Sequence, residues 1–464
     1  LDCLDRMRNE CIPLNAITYS GVLKACGDIG LIGKGRRIHE EIVSIDLLEK
    51  SIVVGNALVD MYAKCGIMSE AQQVLEGLPI RDVISWSTLM ARYTQLCGHG
   101  HKALNCFERM QTEGLSPDAF TLSCALKACG SIGDLHKGKQ IHDDIIMKDG
   151  LLKKNTVLGT ALVDMYAKCG MLEKAQQLHD ELYAPDVISW SALISGYAKE
   201  GQGQEALKCF ERMRDEGISP NSTTFISILT ACGSIGAIDK GKQIHDDIVG
   251  LSLMEVDIAL GNALIDMYVK CGALEKAQKV LDELHVRDIV SWNALISGYA
   301  QQGQGHEAAK CFEKMQKDGL SPNSITFLCV LNACSHSGLL DKAQIYFKNM
   351  DQKYGIVPRF EHHACMVVGF GSAGHFDKAI AVMKAMPCSC DSVHIWLALL
   401  VSCKKWGNVK LGALAFDQAL QLDPSCSVAY VLMKEIYAIS GMPEDAEKVK
   451  SMRPKITDFE DGEI

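Results

Sequence analysis

The sequence predicts an all-α chain folded as an α-solenoid of stacked helical hairpins, and three observations carry that expectation. The chain resembles itself at a spacing of about 103 residues. Each such stretch holds three related units, and each unit carries two apolar stripes at helical spacing. No single hairpin could bury its own stripes, so neighbours must stack into one continuous core. The 464 residues are therefore read as one array, not as a set of separate domains.

Three series show the repeat. Gly-Lys-Gln-Ile-His-Asp-Asp-Ile runs from Gly138 to Ile145 and again from Gly241 to Ile248, an offset of 103. Trp86, Trp190 and Trp292 recur at offsets of 104 and 102. Asn-Ala-Leu-(Val/Ile)-Asp-Met-Tyr starts at Asn56 and Asn262, with Thr-Ala-Leu-Val-Asp-Met-Tyr at Thr160 between them.

Along the chain, a partial unit at 1–15 precedes a whole one at 16–51. Units of 31 residues occupy 52–82, 156–186 and 258–288. Units of 36, 35 and 35 residues occupy 83–118, 187–221 and 289–323, and units of 37, 36 and 36 occupy 119–155, 222–257 and 324–359. Residues 187–221 show the logic. Trp190, Leu193, Ile194 and Tyr197 form one helical stripe that Gly201 stops. Ala206, Cys209, Phe210 and Met213 mark a second helix that ends before Gly217 and Pro220.

Composition excludes several classes. With 48% hydrophobic and 22% charged residues and 11 prolines, the chain is neither disordered nor fibrous. No run approaches the ~18 apolar residues of a membrane span. The start shows neither a secretory nor an Arg/Ser-rich transit pattern, and it opens at Leu1, as a fragment lacking any targeting segment would. A net charge of −10 argues against coating nucleic acid through a bulk positive field, although a solenoid can keep acid on one side and a neutral or basic groove on the other. The 20 cysteines fall at repeating places, such as Cys26, Cys129, Cys232 and Cys334, and so read as small core residues in a reducing compartment.

Most catalytic chemistry is rejected on residue type. A zinc deaminase needs His-x-Glu and Cys-x-x-Cys, and the chain has neither, since Cys388-Ser389-Cys390 has the wrong spacing. His362-His363 at a helix start reads as packing, and no metal or cofactor is expected. Gly133 through Gly138-Lys139, and Gly236 through Gly241-Lys242, have the spacing of a phosphate loop. Gln follows where Ser or Thr must hold magnesium, and the flanks are helical, so both read as turns. His39, His142 and His245 read as interhelical packing or hydrogen-bonding residues, and the three tryptophans as core rather than as stacking platforms.

One set of polar residues is left over. Asn56, Ser87, Thr160, Ser191, Asn262 and Asn293 recur at one place off the apolar stripe, and the units holding them end in Asp82, Asp118, Asp186, Asn221, Asp288 and Asn323. The closing Asp or Asn suits a helix cap. Capping does not explain why the first set is confined to Asn, Ser and Thr.

These unequal lengths, with Val-Ile-Ser-Trp-Ser, Gly-Lys-Gln-Ile-His and Asp-Met-Tyr-Ala-Lys-Cys-Gly, resemble the P, L and S variants of plant pentatricopeptide repeat proteins over nearly the whole chain. The resemblance implies a right-handed solenoid, with a partial P unit and an L unit at 1–51 and a P, L and S array at 52–359. Residues 360–391, with Glu361-His362-His363 and Met386-Pro387, resemble a final degenerate S unit. Residues 392–464 resemble a truncated, tetratricopeptide-like E-type tail, carrying Ile395-Trp396, Gly407-Asn408-Val409 and Leu422-Asp423-Pro424. Longer members continue into a cytidine-deaminase-like domain where this chain ends at Ile464.

In that family each polar pair reads one base of single-stranded RNA, and Val53, Ile84, Val157, Ile188 and Val290 would sandwich successive bases. The chemistry is consistent: Asp only accepts and suits the imino N–H of guanine or uracil, whereas Asn can donate to adenine or cytosine. Ser or Thr leaves room for a purine, and the longer Asn reaches a pyrimidine. With the L units left open, the pairs spell U-G-N-G-A-N-U-Y from 5′ to 3′. The resemblance further implies a non-catalytic site-recognition factor for cytidine-to-uridine editing in a mitochondrion or plastid, with the deaminase or an accessory protein as partner at the tail and no membrane contact. The rivals are a helical-repeat protein scaffold and a fragment of a longer chain with its own deaminase.

Overall fold

The computed structural model describes residues 2–10, 12–96, 98–147, 155–255, 257–386 and 393–452, and every regular element among them is a helix. From residue 16 the helices come in pairs. First helices of 13 or 14 residues open at 16, 52, 83, 119, 156, 187, 222, 258, 289, 324 and 360, where the sequence units begin. Two more pairs follow, Val393–Trp406 with Val409–Leu422 and Ser427–Ile439 with Pro443–Met452. The predicted all-α architecture of stacked hairpins is the one observed.

The helices gather into two compact units, Leu1–Ala231 and Cys232–Ile464. Within each, a first helix packs against its own second helix and against the first helix of the next pair. That double contact is what a 13-residue amphipathic helix needs, because a helix so short is marginal by itself. Trp86, Trp190 and Trp292 are buried in this layer, and Cys26, Cys129, Cys232 and Cys334 are fully enclosed, both as expected. Gly133 and Gly236 take φ of 73° and 67° after the helices Ala119–Ile132 and Ser222–Ile235. The phosphate-loop-like stretches are thus helix ends turning into the next helix.

The recurring histidines fasten one pair to the next. The Nδ1 atoms of His39, His142 and His245 lie 2.9, 2.9 and 3.0 Å from the hydroxyls of Tyr62, Tyr166 and Tyr268 on the following first helix. Burial holds all three imidazoles below their ordinary pKa. Four residues before each histidine, Gly35, Gly138 or Gly241 seats the side chain of Met61, Met165 or Met267, since a Cβ there would stand about 2.5 Å from the methionine sulfur. The fourth junction of this kind departs from the pattern. Its histidine and tyrosine places hold Phe347 and Phe370, its glycine and methionine places hold Ala343 and Gly369, and the two phenylalanines line a cavity of about 610 Å³.

Candidate nucleic-acid interface

The sequence-selected residues gather at the seams between successive first helices. Each seam is built by the last residue of one unit, which caps the first helix of the next. Asp82, Asp118 and Asp186 accept from the backbone N–H of Ser85, Thr121 and Ser189 at 2.8 Å each. Asn221, Asp288 and Asn323 accept from Thr224, Ser291 and Thr326 at 2.9, 2.8 and 2.9 Å. All six closing residues therefore serve as N-caps.

In every case the capping atom is Oδ1, and this fixes the other side-chain atom. A backbone N–H demands an acceptor, so an asparagine here turns its oxygen inward and keeps Nδ2 out of the cap. Asn221 and Asn323 leave Nδ2 without a hydrogen bond among the described residues, and Asp82, Asp118 and Asp186 leave Oδ2 likewise. The remaining atom is then an acceptor in Asp and a donor in Asn.

The internal polar residue reaches the closing residue in four of the six units. Asn56 donates Nδ2 to Asp82 Oδ1 at 3.2 Å, and Asn262 donates to both Asp288 oxygens at 3.3 and 3.2 Å. The Thr160 hydroxyl lies 3.4 Å from Asp186 Oδ1, and that of Ser191 lies 3.5 Å from Asn221 Oδ1. No such bond joins Ser87 to Asp118 or Asn293 to Asn323 among the described residues. Ser87 donates to the Ile84 carbonyl at 3.2 Å, and Asn293 Oδ1 is buried without a partner. Ser87, Thr160 and Ser191 are more deeply buried than their place off the apolar stripe suggests, because the next first helix packs over Ser87 and Thr160 and brings Thr224 within 2.6 Å of Ser191.

The Asp82 and Asp288 carboxyls have lowered pKa values. Burial alone would raise them, but the backbone and hydroxyl donors of Ser85 or Ser291, with Asn56 or Asn262, outweigh it.

Around each seam the second residue of the first helix stands in solvent. Val53, Ile84, Val157, Ile188 and Val290 are 54% to 62% exposed although each is apolar. Ile17, Phe120 and Ile325 hold the same place in the 16–51, 119–155 and 324–359 units and are equally exposed, a set the sequence reading left out. Its signal was available, because each is the second residue of a helix opened by an Asn or Asp cap. First helices from 16 to 372 carry seven Lys or Arg and five Asp or Glu. Four of those acids are salt-bridged, whereas exposed Lys24, Lys127 and Lys199 carry no salt bridge among the described residues. The acidic excess thus lies off this layer.

Other flagged residues do not join the interface. His362 Nε2 lies 2.9 Å from the Ser324 carbonyl, and His363 is buried against the Phe347 ring at 5.1 Å between centroids. Pro387, Cys388 and Cys390 lie outside the described residues. No helix of the described residues is long and apolar enough to cross a membrane.

The chain is similar to known proteins over most of its length. The PPR repeat family matches residues 81–131, 185–234 and 287–336, and the PPR repeat matches 160–183, 262–289 and 325–354. Two pentatricopeptide repeat-containing proteins of Arabidopsis thaliana, both named as mitochondrial, are each 34% identical, one over 97% of this chain and 70% of its own length, the other over 95% and 78%. Of three further Arabidopsis relatives the chain spans 64%, 52% and 65% of the length. Among solved structures, the maize pentatricopeptide repeat protein PPR10 matches with a TM-score of 0.61 at 18% identity, over 97% of this chain and 75% of that one. PPR10 in complex with an 18-nucleotide psaJ RNA element matches equally well.

Proposed function

Since the chain belongs to the pentatricopeptide repeat family, we propose that it binds single-stranded RNA in a sequence-specific manner, one base to each capped seam. The observation that carries this proposal is the inward-facing Oδ1 of all six caps. It ties the hydrogen-bonding sign of the remaining atom to residue identity, so Asp meets guanine or uracil and Asn meets adenine or cytosine. Asn56/Asp82, Ser87/Asp118, Thr160/Asp186, Ser191/Asn221, Asn262/Asp288 and Asn293/Asn323 then read U-G-N-G-A-N-U-Y. The exposed apolar second residues supply faces for the bases, and Lys24, Lys127 and Lys199 supply cations for phosphates.

The finer reading assigns the units to the P, L and S types, and residues 392–464 to an E-type tail that docks a protein partner. The chain then selects a site for cytidine-to-uridine editing, a deaminase acts in trans, and the setting is an organelle, as the mitochondrial names of relatives support. Two measurements test the proposal. Competition binding should rank single-stranded U-G-N-G-A-N-U-Y RNA far above the same sequence as a duplex, and equal affinity would refute it. A single-turnover editing assay should show conversion with an added deaminase and none without; conversion by the chain alone would refute supply in trans.

A further inference from the structure

Each of the six seams that hold a polar pair contains a third polar residue that neither the repeat lengths nor the polar pairs single out. It is the third residue of the following first helix, Ser85, Thr121, Ser189, Thr224, Ser291 or Thr326, each fully buried. Five of the six hydroxyls lie within hydrogen-bonding distance of the cap oxygen Oδ1, at 2.7 Å from Ser85, 2.6 Å from Thr121, 2.9 Å from Thr224 and 3.0 Å from both Ser291 and Thr326. That of Ser189 donates to the Asp186 backbone carbonyl at 2.9 Å. Two of them also reach the internal residue of the pair, and more closely than they reach the cap: Ser85 lies 2.6 Å from Asn56 Oδ1, and Thr224 lies 2.6 Å from the Ser191 hydroxyl.

The Ser191 seam shows what this contact does. Ser191 donates to the Val187 carbonyl at 2.6 Å, which occupies its only proton. The 2.6 Å contact needs a proton between its two oxygens, so the single Thr224 proton points to Ser191 and not to Asn221 Oδ1, and Ser191 is left with lone pairs alone. An acceptor at Ser191 beside a donor at Asn221 Nδ2 complements the Watson–Crick edge of adenine, whose ring nitrogen accepts and whose amino group donates. Guanine presents the opposite pattern at both atoms. The three seams that open the 31-residue units provide a contrast, because their third residues are Val54, Leu158 and Leu260 and hold no hydroxyl. Each of the three closes a unit to which no base is assigned.

We infer that this buried hydroxyl is a specificity-positioning residue, which sets the donor or acceptor state of the pair in front of it, so that the base read by one unit depends on the first turn of the next. The inference rests on the base-reading proposal, and one experiment separates the two. Full-length wild type, Thr224→Val and Thr224→Ser are titrated with single-stranded RNAs differing only in A or G at the base assigned to Ser191/Asn221, and the melting temperature of each protein is measured. Wild type should prefer A. Thr224→Val should lower the A-to-G ratio about tenfold, leave the preference for U at Asn262/Asp288 intact, and be rescued by Thr224→Ser. An unchanged ratio in Thr224→Val, with or without a lower melting temperature, would make the hydroxyl a helix cap only and overturn the inference while sparing base reading. Absence of any A or G preference in wild type would overturn both. Should Thr224→Val fail to fold, Ser85→Ala at the U assigned to Asn56/Asp82 answers the same question: an unchanged preference there overturns the inference, and a lost one supports it.

Discussion

Asn56 Nδ2 lies 3.2 Å from Asp82 Oδ1 across 26 residues of sequence, and Asn262 meets Asp288 in the same way at 3.3 Å. One side chain comes from the interior of a unit and the other from its end, so the bond closes each unit onto the cap of its successor. The cap and the recognition atom therefore belong to one carboxylate and can be separated by substitution.

Asp288→Asn should preserve folding and change the base. Asn caps a helix about as well as Asp, so stability should shift by less than about 0.5 kcal/mol, while the preference at that position moves from U towards C. Asp288→Ala should instead cost about 1 kcal/mol and abolish the preference. Chemical denaturation paired with RNA titration distinguishes the two; equal loss of stability in both variants would contradict the separation.

Thr160→Asn should move the unit 156–186 from G towards U. The longer side chain reproduces the Asn262/Asp288 arrangement beside Asp186, and discrimination of about 1 to 3 kcal/mol is expected if it resembles other direct base contacts. A two-by-two titration of both proteins against both RNAs checks this. Unchanged preference would reduce these residues to caps.

Salt should weaken RNA binding only gently. Three lysines of the first helices, Lys24, Lys127 and Lys199, carry no salt bridge among the described residues. Three phosphate contacts imply a slope of log K against log salt of about −2 for a single strand. A slope steeper than about −5 would mean that other cations dominate.

Acid should destabilise the array through the caps. Asp82 and Asp288 have folded pKa values below the ordinary 3.8, so their contribution is complete above that value and is lost as pH falls through the folded values. Thermal melts from about pH 5 down to about pH 2.5 should show a decline that is shallower in the double variant Asp82→Asn, Asp288→Asn. An identical decline would place the acid sensitivity elsewhere.

The fold was legible because its signals are periodic. Tryptophan, cysteine and glycine recur at fixed offsets, and each lands in the same buried or turning place in every unit. The places of the polar residues were legible for the same reason, although only four of the six pairs close a hydrogen bond among the described residues. What sequence could not show was depth and orientation. Ser191 reads as a polar residue beside an apolar stripe, but it is buried against Thr224 of the next first helix, a contact no local pattern encodes. Thr224 went unnoticed because a Ser or Thr three residues after an Asn reads as an ordinary capping partner. Ile17, Phe120 and Ile325 escaped because their units hold none of the assigned polar pairs, although solvent exposure groups them with Val53.

The junction between the 324–359 unit and the helix Phe360–Ser372 gives the array an uneven grain. Where His39, His142 and His245 fasten their neighbours, a directional bond and a seated methionine sulfur permit one register only. Phe347 and Phe370 have no direction to enforce, and the open volume beside them removes contacts on one side. A linear array transmits strain from neighbour to neighbour and yields at its softest link. At this junction the yielding element is the second helix Leu340–Gln352, because the first helices are still tied directionally, with His362 Nε2 2.9 Å from the Ser324 carbonyl and Ser335 donating to the Cys365 carbonyl at 2.9 Å.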